Sequence, residues 1–106
     1  MKAKGFKFTL YLGLNDKDSK RQEISTLEAY KVVKNMIVAR FDGGTIFESL
    51  GVYTHDDGTI TTEKTLRIEL LFTDDASVKE FVTELKRAFN QESVAVEKSV
   101  INSELW

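Results

Sequence analysis

The stretch Thr45-Ile46-Phe47-Glu48-Ser49-Leu50-Gly51-Val52-Tyr53-Thr54, then His55-Asp56-Asp57-Gly58, then residues 59–72 decides the fold. β-branched and aromatic residues dominate both arms, and Leu66, Ile68, Leu70 and Phe72 alternate with other residues at the period of a strand buried on one face. The four residues between the arms join two aspartates to a glycine, which is the chemistry of a hairpin turn. The centre of the chain therefore reads as two antiparallel strands.

Each arm is flanked by a helix. On the amino-terminal side, Ser25-Thr26-Leu27-Glu28 has capping-box spacing, and Leu27, Tyr30, Val33, Ile37 and Phe41 recur every three or four residues as far as about Arg40. Asp42-Gly43-Gly44 ends that helix, because glycine favours left-handed caps and turns. On the carboxyl-terminal side, Asp74 and Asp75 are natural N-caps for a helix that puts Val78, Phe81, Val82, Leu85 and Phe89 on one face. Beyond the helices lies one more strand at each end. Phe6, Phe8, Leu10, Leu12 and Leu14 alternate in the first, and the last covers residues 93 to about 100. Residues 15–23 are wholly polar and read as an exposed, mobile connection.

Strand, helix, two-stranded hairpin, helix, strand is the split βαβ order of α+β ferredoxin-like folds. The expectation is one domain over residues 1–106, a four-stranded antiparallel sheet with both helices on one face. At 106 residues, 42% hydrophobic and 30% charged, the chain can close one core without disulfides or metal.

Composition removes several classes of function. The absence of cysteine excludes thiolate nucleophiles and cysteine-ligated clusters, and a single histidine, His55, excludes a multi-histidine metal site within one chain. Fifteen basic against seventeen acidic residues leaves a net charge of −2, without the basic footprint of a nucleic-acid binder. The third strand also offers Thr65, Arg67 and Glu69 where an RNA-binding sheet would carry stacking aromatics. The basic start Met1-Lys2-Ala3-Lys4-Gly5 is followed by alternation instead of an apolar run, so a signal peptide is not expected. Nothing approaches the roughly 20 apolar residues of a membrane span. A cytoplasmic protein off the membrane, with no cofactor and no metal, is the expectation.

One face of the sheet is left uncovered by the chain, and hairpin register decides what lies on it. A two-residue Asp57-Gly58 turn pairs Glu48 with Arg67 and puts Tyr11, Ile46, Glu48, Leu50, Val52 and Arg67 on the open face. A three-residue loop with a glycine bulge instead turns Ile46, Glu48, Leu50 and Val52 toward the core. Burying an unpaired carboxylate is costly, which favours the first register or a bulge near Gly51. In that register the open face is too apolar to meet only water, and a homodimer covering it is the simplest solution.

Local motifs for chemistry are weak. Asp16 and Asp18 start like a calcium loop, but Arg21 stands where glycine is needed and Leu27 where the bidentate glutamate belongs. Gly43-Gly44-Thr45 lacks the following helix of a phosphate cradle. Glu63, Glu69 and Glu92 are candidate carboxylates that spacing alone does not bring together.

The run Arg40-Phe41-Asp42-Gly43-Gly44-Thr45, then Gly51-Val52-Tyr53, the Asp57-Gly58 turn with Ile60 and Glu63, and Phe89-Asn90-Gln91-Glu92-Ser93-Val94 resembles the bacterial family called domain of unknown function 3574. Tyr11-Leu12-Gly13 is similar too. The resemblance implies a ferredoxin-like domain and supplies no reaction. It also gathers a candidate ligand patch: Tyr11, Tyr53, Glu63, Gln91, Glu92 and Ser93. The function expected is a non-catalytic protein- or ligand-binding module that self-associates through its open sheet. The alternatives are a small inhibitor or adaptor of a larger machine, with a protein partner, and an enzyme using Glu63 or Glu92 as a base beside Tyr53.

Overall fold

Six elements alternate in the expected order: β1 (Lys2–Gly13), α1 (Thr26–Arg40), β2 (Thr45–Thr54), β3 (Ile60–Leu70), α2 (Asp75–Ala88) and β4 (Ala95–Glu104). This computed structural model describes residues 2–106; Met1, at the head of the basic start, lies outside the described residues. The sheet runs β2-β3-β1-β4 with every neighbouring pair antiparallel. β1 and β4 are longer than their alternation suggests, because Lys2 to Tyr11 pair residue by residue with Glu104 to Ala95.

The core lies between one sheet face and the helices. Phe8, Leu10, Leu12, Leu66, Ile68 and Leu70 from the two central strands pack against Val33 and Ile37 of α1 and Val78, Phe81 and Leu85 of α2. Phe41 meets Phe81 edge-on at 5.2 Å. The α2 stripe is the expected one, whereas α1 is rotated: it buries Ala29, Val33 and Ile37, leaving Leu27 and Tyr30 exposed. The buried face thus includes the small Ala29 in place of the larger Leu27 and Tyr30. The capping box is half formed. Ser25 Oγ accepts from the Glu28 amide at 3.1 Å, but the Glu28 carboxylate turns to Lys31. Helix α1 ends with Phe41 in extended backbone, and no left-handed glycine is used there.

Register is the main correction. β2 pairs with β3 so that Phe47 stands opposite Arg67, Glu48 opposite Leu66 and Thr54 opposite Ile60. The loop is the three-residue alternative: Gly58 takes φ +86°, its amide donates to the His55 carbonyl at 2.9 Å, and the His55 amide donates to the Thr59 carbonyl at 2.8 Å. Asp57 reinforces it by accepting from the Thr59 amide and hydroxyl. Ile46, Glu48, Leu50 and Val52 therefore share the helix-bearing face instead of the open one. The cost expected for Glu48 does not arise, because β2 is an edge strand and Glu48 remains exposed. Among the described residues, no helix is long and apolar enough to cross a membrane.

Candidate functional site

With this register the open face carries Tyr11 and Gly13 from β1, Phe47 and Tyr53 from β2, Glu63 and Arg67 from β3, and Glu97 from β4. At the end where β1 leaves the sheet, two loops rise beside that face. One is residues 14–25, between β1 and α1; the other is residues 89–94, between α2 and β4. Sheet and loops enclose a cleft of about 600 Å³, and Tyr11, Tyr53, Glu63, Gln91, Glu92 and Ser93 all line it. That volume lies within the roughly 300–1,000 Å³ of small-molecule pockets.

Glu63 is the centre of the arrangement. Its Oε2 accepts from the Asn15 amide at 2.9 Å, and its carboxylate also faces the Tyr53 hydroxyl. Glycines make room for both side chains. The Glu63 carboxylate rests against Gly13, where a Cβ would collide with it, and the Tyr53 ring lies over Gly51, where a Cβ would stand 3.0 Å from the phenolic oxygen. Burial, and then the negative charge and hydrogen bond of Glu63, raise the Tyr53 pKa above its ordinary value. The phenol, protonated at neutral pH in any case, is thereby made still harder to ionise.

Gly13→Ala is expected to push Glu63 aside without straining the backbone, since Gly13 needs no left-handed conformation. The Tyr53 titration should then move down toward 10.0, followed by ultraviolet difference absorbance. An unchanged titration would show that Glu63 is held by something other than this packing.

Gln91 joins the two loops, its Nε2 donating to the Asn15 carbonyl at 2.6 Å and to the Phe89 carbonyl at 3.2 Å. Asn90, at φ +48°, donates from Nδ2 to carboxylate oxygens of Asp16 at 3.0 Å and Asp18 at 2.8 Å. Asp16 is held below its ordinary pKa first by Asn90 and then by the amides of Ser19 and Asp18. The loop expected to be mobile is therefore tied across the fold. His55, read from sequence only as turn chemistry, also lines the cleft, its Nε2 2.8 Å from Thr61 Oγ1. Lys17 and Lys20 do so as well. Sequence spacing missed all three because the loops meet only after the strands pair.

The second expected set, Tyr11, Ile46, Glu48, Leu50, Val52 and Arg67, does not form one patch. Tyr11 and Arg67 are cross-strand partners on the open face, while the four β2 residues lie on the opposite face. Arg67 does not pair with Glu48; its guanidinium lies 4.3 Å from the centre of the Phe47 ring, and its Nη2 is 3.7 Å from Glu69. A separate apolar groove of about 380 Å³ runs between α2 and β4, lined by Phe8, Val78, Val82 and Val96. Among the described residues, no three histidine, cysteine or acidic side chains gather as a metal site.

No curated protein sequence matches the chain. Among solved structures it is similar to a phage SAM lyase in complex with S-methyl-5'-thioadenosine, with 29% identity and a TM-score of 0.66 over 96% of this chain and 87% of that one. A phage SAM lyase in the apo state superposes with a TM-score of 0.65 at 23% identity, covering 97% of this chain and 87% of that one. The divalent ion tolerance protein CutA1 from Ehrlichia chaffeensis does so with 0.53 at 16% identity, covering 92% and 82%. These neighbours share the ferredoxin-like fold. The description "Protein of unknown function (DUF3574)" is matched over residues 7–104, and the chain belongs to that family.

Proposed function

We propose that the cleft binds a nucleoside sulfonium of the S-adenosylmethionine (SAM) type, and that the chain cleaves it to S-methyl-5'-thioadenosine. One observation carries this reading. Tyr53 and Glu63 converge with Tyr11 in a cleft of adequate volume, in a chain 29% identical over 96% of its length to a SAM lyase bound to that thioadenosine.

The chemistry of the lining suits the parts of such a ligand. Tyrosine rings offer flat surfaces for adenine. A carboxylate and aromatic faces attract a sulfonium, as they attract other cations. In the cleavage, the bonding pair between sulfur and the γ carbon stays with sulfur, turning the cation into a neutral thioether. The γ carbon recovers a bond from within the amino-acid arm, either from the carboxylate oxygen or by loss of a β proton to a base.

Incubation of the purified chain with SAM, followed by liquid chromatography and mass spectrometry, tests the proposal. S-methyl-5'-thioadenosine should accumulate with enzyme concentration. The accompanying product distinguishes a lactone from an alkene. Binding of SAM by calorimetry without turnover would overturn the lyase part and leave a non-catalytic ligand site. Absence of binding would overturn both.

Self-association belongs to the proposal in altered form. The open sheet no longer carries Ile46, Leu50 and Val52, whereas Leu50, Val52 and Ile60 are each more than 60% exposed on the helix-bearing side of the hairpin. Apolar side chains grouped in this way favour coverage by a second copy. Sedimentation equilibrium should give a mass above the monomer; a monomer at high concentration would count against it. The cytoplasm, where the proposed substrate is accessible, is the setting assumed.

A further inference from the structure

We infer that Lys17 and Lys20 form a carboxylate subsite, so that the cleft selects a sulfonium nucleoside still carrying its amino-acid carboxylate. This rests on the SAM reading above and goes beyond it by fixing the ligand's orientation and class.

Both lysines line the cleft, and neither has an ion-pair partner among the described residues. Lys17 acts on Asp16 through its charge, and the two acids nearest in sequence accept hydrogen bonds from other groups. Asp16 Oδ1 accepts from the amides of Asp18 at 2.8 Å and Ser19 at 3.0 Å, and the outer oxygens of Asp16 and Asp18 accept from Asn90.

The loop that carries the lysines is fixed before any ligand arrives. The Asp16 amide donates to the Arg21 carbonyl at 2.9 Å, the Lys20 amide to the Asp16 carbonyl at 2.9 Å, and the Lys17 amide to the Asn90 carbonyl at 3.1 Å. Asn15 bridges to Gln22 at its base. Lys20 holds φ +64°, a conformation that glycine or asparagine adopts more readily. Two lysines on a braced loop therefore line the same cleft as Glu63, whose carboxylate the Asn15 amide ties to the root of that loop; Asp16 and Glu92 line it too.

A ligand with a cationic sulfur and an anionic arm is matched best with its sulfonium toward Glu63 and the tyrosines and its carboxylate toward the lysines. S-methyl-5'-thioadenosine has no such arm, so its hold on the cleft does not depend on them. Decarboxylated SAM keeps the sulfonium and loses the anion, and should bind more weakly than SAM.

Calorimetric titration of the full chain with SAM, decarboxylated SAM and S-methyl-5'-thioadenosine tests this. In the doubly substituted Lys17→Ala, Lys20→Ala chain, the Kd for SAM should rise about 10- to 100-fold, while the other two change by less than about twofold. Arginine at both positions keeps the charges and should retain SAM binding. If the unsubstituted chain binds neither SAM nor the thioadenosine, the SAM reading fails and takes this inference with it. If it binds both, and the double alanine variant weakens neither or weakens all three equally, the SAM reading stands and the carboxylate subsite is overturned.

Discussion

Glu63→Gln should lower kcat/KM for SAM cleavage about 10- to 100-fold while leaving the thermal unfolding of the chain nearly unchanged. The side chain keeps its length, and its amide oxygen can still accept from the Asn15 amide, the 2.9 Å contact that braces the loop. What disappears is the negative charge beside the phenol and, on the SAM reading, beside the sulfonium. A hydrogen bond or ion contact to a charged group in a partly enclosed site has the strength that this range reflects. The variant also carries an internal check. Glu63 is the second cause, after burial, of the raised Tyr53 pKa, so that pKa should fall toward 10.0 when the charge is removed. Turnover lost without that fall would mean that Glu63 does not act on the phenol as described, and turnover retained would remove Glu63 from the chemistry.

Phe81→Ala should cost about 3–5 kcal/mol of folding stability, measured by urea denaturation, because it deletes a large aromatic ring from a core with little freedom to collapse. Phe81 is fully buried, stands edge-on to Phe41, and sits where α2 meets the central strands. Domains of this size are stable by only about 5–15 kcal/mol, so the variant approaches the threshold of folding at physiological temperature. Leu27→Ala gives the contrast: Leu27 is 62% exposed, and its loss should change stability by less than about 0.5 kcal/mol. If the two substitutions cost the same, the packing of the helices on the sheet is not as described.

Those two positions also mark what could be read from sequence. The α2 face was legible because Val78, Phe81 and Leu85 recur at helical spacing and no neighbour competes for burial. On α1, Leu27 and Tyr30 fit the helical period as well as the buried residues do, so periodicity does not say that Ala29 is buried in their place. Strand alternation named Phe8 to Leu14 and Leu66 to Leu70 as core residues correctly, since both strands are central, but Phe6 and Phe72 at the ends of the two runs are exposed. Parity in β2 was misread for a local reason. An unpaired carboxylate is costly only where water is excluded, and an edge strand leaves Glu48 wet on the helix-bearing side.

The site was legible in another way. Tyr11, Tyr53, Glu63, Gln91, Glu92 and Ser93 were gathered through family resemblance, and strand pairing brings them to one cleft. Lys17, Lys20 and Asn90 carry no such signal. Asn90 lies 74 residues from Asp16 along the chain, and only the crossing of the two loops makes them partners. The pairing of Gly13 with Glu63 is equally invisible in one dimension, because its meaning is the absence of a Cβ beneath a carboxylate on the next strand.

The most direct test of the central claim is a crystal structure of the chain grown with S-methyl-5'-thioadenosine. The nucleoside is expected in the open-face cleft, its ring against Tyr11 or Tyr53 and its sulfur directed toward Glu63. Density for the nucleoside in the groove between α2 and β4, or an empty cleft at saturating ligand, would contradict it.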